Sequence, residues 1–160
     1  ATFLQLREKN MEFEKKKSIP TEKPSETPKP ISNTLIKIDR IDLKLPIVEG
    51  ISEKSLKYAI GSFRKDIMPG DIGNYSLAGH RNYTYGKMFN RLNELEKGDL
   101  IEIKKEDKSF YYKVSQILIV DPEEIWVLKD EKDKKTITLV TCHPIGIANQ
   151  RLIIKGELRE

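Results

Sequence analysis

One cysteine, one tryptophan and two histidines are all that this 160-residue chain carries of those residue types. A single thiol excludes an internal disulfide and any structural zinc site built on several thiolates. No stretch approaches the roughly 18 consecutive apolar residues of a membrane-spanning helix. The N-terminus also lacks the charged start, apolar middle and small-residue cleavage site of a signal peptide. The chain opens on Ala1, as a piece excised downstream of a membrane anchor would. A dominant charge is missing too: 29 Lys and Arg are set against 25 Asp and Glu, a net +4. The two signs are interspersed rather than gathered on one element, which argues against a nucleic-acid partner. There is no internal repeat.

What is present divides at about residue 34. Residues 1–17 combine helix formers and charge with Phe3, Leu4, Leu6, Met11 and Phe13, a short helix that needs docking to be stable. Ser18–Asn33 holds Pro20, Pro24, Pro28 and Pro30 among Ser, Thr, Lys and Glu, the composition of an extended spacer. The expected organisation is therefore a charged segment and spacer over 1–33 and a folded domain over 34–160. In that domain short apolar runs predict strands at Leu35–Ile38, Leu43–Val48, Tyr75–Ala78, Leu100–Ile103, Phe110–Val120, Thr136–Thr141 and Arg151–Lys155. Pro46 favours an edge position for the second of these. Weakly helical pieces fall around Ser55–Ala59 and Lys87–Leu95, the latter with Met88, Leu92 and Leu95 on one face. Six to eight short strands with minor helices predict an all-β barrel or sandwich.

The lone cysteine, Cys142, is either a small buried hydrophobe or a nucleophile. A nucleophile needs an imidazole to manage its proton. His143 is adjacent, but neighbours on a strand point to opposite faces, so it diverges from Cys142. His80 ends the strand-like Ser76-Leu77-Ala78-Gly79-His80, where a barrel can bring it beside the thiol. Arg151 opens the strand after the Cys142 loop. If the two strands are neighbours, its permanent charge lies close enough to donate hydrogen bonds to a developing oxyanion.

Three motifs in this order resemble those of the sortases of Gram-positive bacteria. Leu77-Ala78-Gly79-His80 is similar to the family's LAGH strand, Thr138-Leu139-Val140-Thr141-Cys142 to its TLxTC strand, and Arg151-Leu152-Ile153-Ile154 to its final arginine-led strand. Lys97-Gly98-Asp99 and the proline-containing run Leu43–Ile47 agree, and the resemblance spans about 34–158. It implies a closed eight-stranded β-barrel with short helices and a cysteine transpeptidase. Cys142 would cut an LPxTG-type C-terminal sorting signal between Thr and Gly and pass the acyl group to an amine of a cell-wall precursor or partner protein. His80 would serve as acid and then base, and Arg151 as oxyanion partner.

By motif position, Ala78, Thr138, Val140, Thr141 and Ile153 would line a peptide groove. Ile125, Val127 and Leu128, flanking Trp126, resemble the loop that clasps the signal. The likeness further implies no cofactor and an enzyme on the extracellular face of the plasma membrane, held by an N-terminal anchor that this chain does not contain. Phe63-Arg64-Lys65-Asp66 lacks the acidic set with which one branch binds calcium, so no metal is expected. The absence of an N-terminal Asp-Pro dipeptide argues against a pilus-type lid. Leu-Val-Thr-Cys-His-Pro at 139–144 leans towards a housekeeping-like or class D-like enzyme. The competing readings are a plain cysteine hydrolase and a non-catalytic barrel module with an inert thiol.

Overall fold

The computed structural model describes residues 30–52, 59–80, 88–144 and 147–160, with side chains from residue 33 onward. The helix expected over 1–17, most of the spacer, residues 55–58 of the first helical piece and the loop after His80 lie outside the described residues.

Eight strands form the domain: β1 (Pro30–Ile38), β2 (Leu43–Glu49), β3 (Ile60–Ser62), β4 (Gly73–Ala78), β5 (Leu100–Lys105), β6 (Lys108–Val120), β7 (Lys135–His143) and β8 (Gln150–Leu158). They close into a barrel in the order β1-β2-β3-β4-β7-β8-β6-β5. Closure removes the unpaired edges that an open sheet would expose. The all-β expectation and the closed eight-stranded form are thus both realised.

Local chemistry accounts for the details. β1 begins at Pro30, four residues before the expected boundary, because a proline is tolerated at the first position of a strand. Its pairing with β2 shifts register between Pro30 and Leu35, beside Asn33, whose φ of 49° is left-handed. Pro46 corrects the edge expectation, since β2 has partners on both sides. It pairs with Leu35 of β1, while the parallel ladder to β3 starts only at Ile47, so the missing N–H falls where β3 makes no demand on it. β3, three residues long, is too short for a periodicity to reveal. The second helical piece is a turn closing in a short 3-10 helix, Leu92–Glu94, and its Met88, Leu92 and Leu95 do enter the core.

Strand alternation splits the apolar residues into two clusters. Ile36, Ile38, Leu77, Ile101, Ile103, Ile137, Leu139, Leu152 and Ile154 fill the barrel interior with Tyr75, Tyr112 and Phe89. The residues between them, Ala78, Val140 and Ile153, face outward and form a second cluster with Ile51, Val127 and Leu128. That outer cluster is roofed by the β6–β7 connection, whose 3-10 turn spans Ile125–Leu128.

Candidate active site

Three strands bring the chemistry to one end of the outer cluster. In the antiparallel β7–β8 ladder Cys142 is the direct partner of Arg151. Directly opposed residues share a face with Cβ atoms about 4.5–5.5 Å apart, so thiol and guanidinium are neighbours. β4 runs parallel to β7 and its last pair sets Ala78 opposite Val140, closed by Gly79 N–H donating to Val140 O at 3.1 Å. The Thr141 hydroxyl donates to Gly79 O at 2.7 Å on the other side of the same step. His80 lies two residues beyond the last β4 pair, just past the end of the strand and towards the Cys142 end of β7. On the far side of Arg151 stands its β6 partner, Val120. Across the sheet the row therefore reads Val120, Arg151, Cys142, with His80 beyond the end of β4 on the Cys142 side.

Gly79 is required by close packing rather than by a special backbone angle. A Cβ there would stand 2.6 Å from Phe89 Cδ2 and 2.7 Å from Ile60 Cδ1, both on fully buried side chains. Phe89 N–H in turn donates to His80 O at 2.9 Å, so the strand end carrying the imidazole is held from two sides.

Arg151 is completely buried. Its Nη1 donates to Gln150 O at 2.7 Å and Ala148 O at 3.1 Å, which ties the guanidinium to the β7–β8 loop. Burial pushes its pKa below the ordinary value, while negative charge at Cys142 and Glu123 opposes that shift. An arginine starts so high that it stays protonated under all working conditions. Cys142 and His80 are half-buried, and Cys142 packs at the margin of the outer cluster. The thiol is therefore not sealed in the core. His143 follows Cys142 on the same strand, opposite Gln150, and alternation turns it to the other face.

The expected groove residues separate into three groups. Ala78, Val140 and Ile153 form a fully buried apolar floor beside Cys142, and Val127 and Leu128, with Ile125 partly buried, stand over it. Thr141 lies on the opposite face of β7 and bonds to Gly79 O. Thr138 is on the floor's face but beneath the roof, where its hydroxyl donates to Asn74 Oδ1 at 2.7 Å. Asn74, Lys155 and Glu123 were not singled out from sequence. The one available signal was spacing, since Lys155 shares the face of Arg151 and Ile153 at two-residue intervals. The surface recesses, lined by residues such as Lys155, Thr136, Glu157 and Lys135, lie farther along β7 and β8 from Cys142 and hold none of the three candidates. Among the described residues, no three His, Cys, Asp or Glu side chains group as a metal site would, and no helix is long and apolar enough to cross a membrane.

A family model described as Sortase domain matches residues 36–159. The chain is 37% identical over 142 residues to Sortase SrtE1 of Streptomyces coelicolor, covering 79% of this chain and 40% of that protein. It is 32% identical over 126 residues to Sortase D of Bacillus subtilis, covering 77% and 62%. The chain thus spans roughly half the length of the curated relatives it matches. Among solved structures, a Sortase D5 transpeptidase of Clostridium perfringens superposes with a TM-score of 0.74 at 33% identity, covering 98% of this chain and 96% of that one. Sortase E1 of Streptomyces coelicolor with a tripeptide in its active site superposes at 0.70 with 34% identity, covering 79% and 87%. With the motifs, the barrel order and these matches in agreement, this chain belongs to the sortase family.

Proposed function

We propose that this protein is a cysteine transpeptidase that cuts an LPxTG-type sorting signal between Thr and Gly and joins the new carboxyl end to an amine. The observation that carries this reading is the direct cross-strand pairing of Cys142 with Arg151 at the margin of an apolar floor, with His80 just beyond the end of the neighbouring β4.

The chemistry follows from the three groups. The Cys142 sulfur, its proton passed to His80, attacks the threonine carbonyl, forming a C–S bond and pushing the carbonyl electrons onto oxygen. Arg151, held in place by two backbone carbonyls, donates to that oxyanion, where a fixed donor in a partly dry site is worth far more than in water. His80 protonates the glycine nitrogen as the C–N bond breaks, leaving a thioacyl enzyme. An incoming amine then loses its proton to His80, attacks the thioester and expels the sulfur. The apolar floor and the Ile125–Leu128 roof suit an extended peptide with small apolar side chains, since such sites are mostly hydrophobic with a few polar anchors. The acceptor would be an amine of a peptidoglycan precursor or a partner protein, and the enzyme would work at the outer face of a Gram-positive plasma membrane from an N-terminal anchor. Residues 1–29, ahead of β1, would act as its spacer.

Mass spectrometry of the protein mixed with an LPxTG-type peptide tests this directly. A thioacyl adduct on Cys142 that discharges onto triglycine is the expected result. Discharge to water at an unchanged rate whether or not amine is present would replace the transpeptidase by a hydrolase. No adduct with any variant peptide, and no alkylation of Cys142 in the folded protein, would leave only a scaffold barrel.

A further inference from the structure

Lys155 is an unusual residue to find under the roof of the site. It lies on β8 two positions beyond Ile153, on the same outward face, and only 8% of it is exposed. Its ammonium donates to Val127 O at 2.8 Å and to Thr138 Oγ1 at 3.1 Å. Both acceptors are neutral. Burial accordingly pushes its pKa down, with Glu131 as the opposing charge. A buried ammonium without a carboxylate in its hydrogen-bond shell is costly, and an apolar side chain of equal length is often the more stable choice. The position of the lysine therefore calls for a reason other than stability.

Its partners supply that reason. Val127 O also accepts from Asn74 Nδ2 at 2.9 Å, which reaches Lys129 O at 3.2 Å as well. Thr138 links the two donors, since its hydroxyl bonds to Asn74 Oδ1 at 2.7 Å. One carbonyl of the β6–β7 connection is thus gripped from β4 and β8 together, with β7 between them. That carbonyl belongs to the turn that carries Ile125, Val127 and Leu128 over Ala78, Val140 and Ile153. The clamp fixes the roof turn against the sheet before any peptide arrives, and preorganisation of this kind contributes to affinity by reducing what must be ordered on binding.

We propose that Lys155 is a positioning residue for substrate: its ammonium, with Asn74, holds the Val127 carbonyl and so fixes the roof turn beside which the sorting signal binds. It acts through the roof and touches none of the reacting atoms. The inference rests on the function proposed above, and it recasts Thr138 as a link in the clamp rather than a groove wall.

The test uses Lys155→Met, which keeps length and removes the donor, and reads out Trp126, the only tryptophan in the chain and part of the roof turn. Acrylamide quenching of Trp126 and amide exchange over 125–129 should both increase in the variant, with melting temperature unchanged or higher. In peptide turnover KM should rise about tenfold, the worth of one charged hydrogen bond, while kcat stays within about twofold. Alkylation of Cys142 should proceed at the wild-type rate. An unchanged roof signal overturns the proposal, and so does a fall in kcat at constant KM. If wild-type protein fails to turn over any LPxTG peptide, the proposed function fails in that arm, while the Trp126 and exchange measurements still judge the clamp.

Discussion

Replacing Arg151 by lysine keeps the charge and removes the fork, which makes it a sharp test of the oxyanion role. In the structure the guanidinium spends Nη1 on two backbone carbonyls while standing directly across the ladder from Cys142. A planar group with five N–H donors can satisfy the loop and the reacting oxygen together. An ammonium on a shorter stem cannot hold both positions. Loss of one oxyanion donor costs about 10²–10³ in kcat, or about 3–4 kcal/mol of transition-state stabilisation. Folding stability should move little, since one buried cation is exchanged for another at the same position. The assay is steady-state cleavage of a fluorescence-quenched LPxTG peptide with triglycine as acceptor, alongside a thermal melt and the rate of Cys142 alkylation. We expect kcat/KM for Arg151→Lys to fall about 100-fold or more, with melting and alkylation close to wild type. Retention of a third of the wild-type kcat/KM would refute the reasoning, and a parallel collapse of the melting temperature would make Arg151 a structural residue instead.

Three further outcomes follow from the same geometry. Among the described residues the Tyr75 hydroxyl, inside the barrel, has no hydrogen-bond partner, so Tyr75→Phe should raise stability by about 1 kcal/mol, read as an increase of about 3 °C in melting temperature. Burial, reinforced by Tyr112, raises the Tyr75 pKa above the ordinary phenol value of 10.0. The unfolded chain therefore ionises first, and wild-type stability should decline as pH rises above about 10, with a shallower decline in the Phe variant. Gly79→Ala places a Cβ against Phe89 and Ile60 and should cost about 1–3 kcal/mol in a denaturant melt, with lower turnover because His80 is the next residue; an unchanged melt would contradict the packing argument. Although burial pushes the Asp130 carboxyl up, hydrogen bonds from the Arg64 side chain and Asn74 N–H, with the charge of Arg64, hold it below the ordinary carboxylate range. Its hold on the roof is present above the ordinary pKa and lost as pH falls through the depressed one. Amide exchange over 125–129 should therefore rise in acid, and Asp130→Asn should abolish that pH dependence.

The strands with clear two-residue alternation were legible from sequence because alternation is local. Thr136–Thr141 shows it, and β7 indeed sends Ile137 and Leu139 inward and Val140 outward. β3 was not legible, since three residues hold no period and its pairing to β2 is a long-range choice. Pro46 misled for a related reason: a proline signals a missing donor but does not say whether a neighbour needs it. At the site, the divergence of His143 from Cys142 followed from strand geometry alone. The clamp of Asn74, Thr138 and Lys155 did not, because residues 74, 138 and 155 are related only through the order β4-β7-β8.

The amino-acid sequence by itself determined which atoms can react and which strand faces are apolar, since both are properties of residue type and of spacing along one segment. It also carried the family, through three short motifs whose residues sit next to one another in the chain. Tertiary structure alone decided that Arg151 pairs with Cys142 while β4, whose end leads to His80, runs beside β7, and that Ala78, Val140 and Ile153 form a floor outside the barrel rather than part of its core. Those outcomes depend on register between strands, and register is set by closure of the whole barrel, which no single segment encodes.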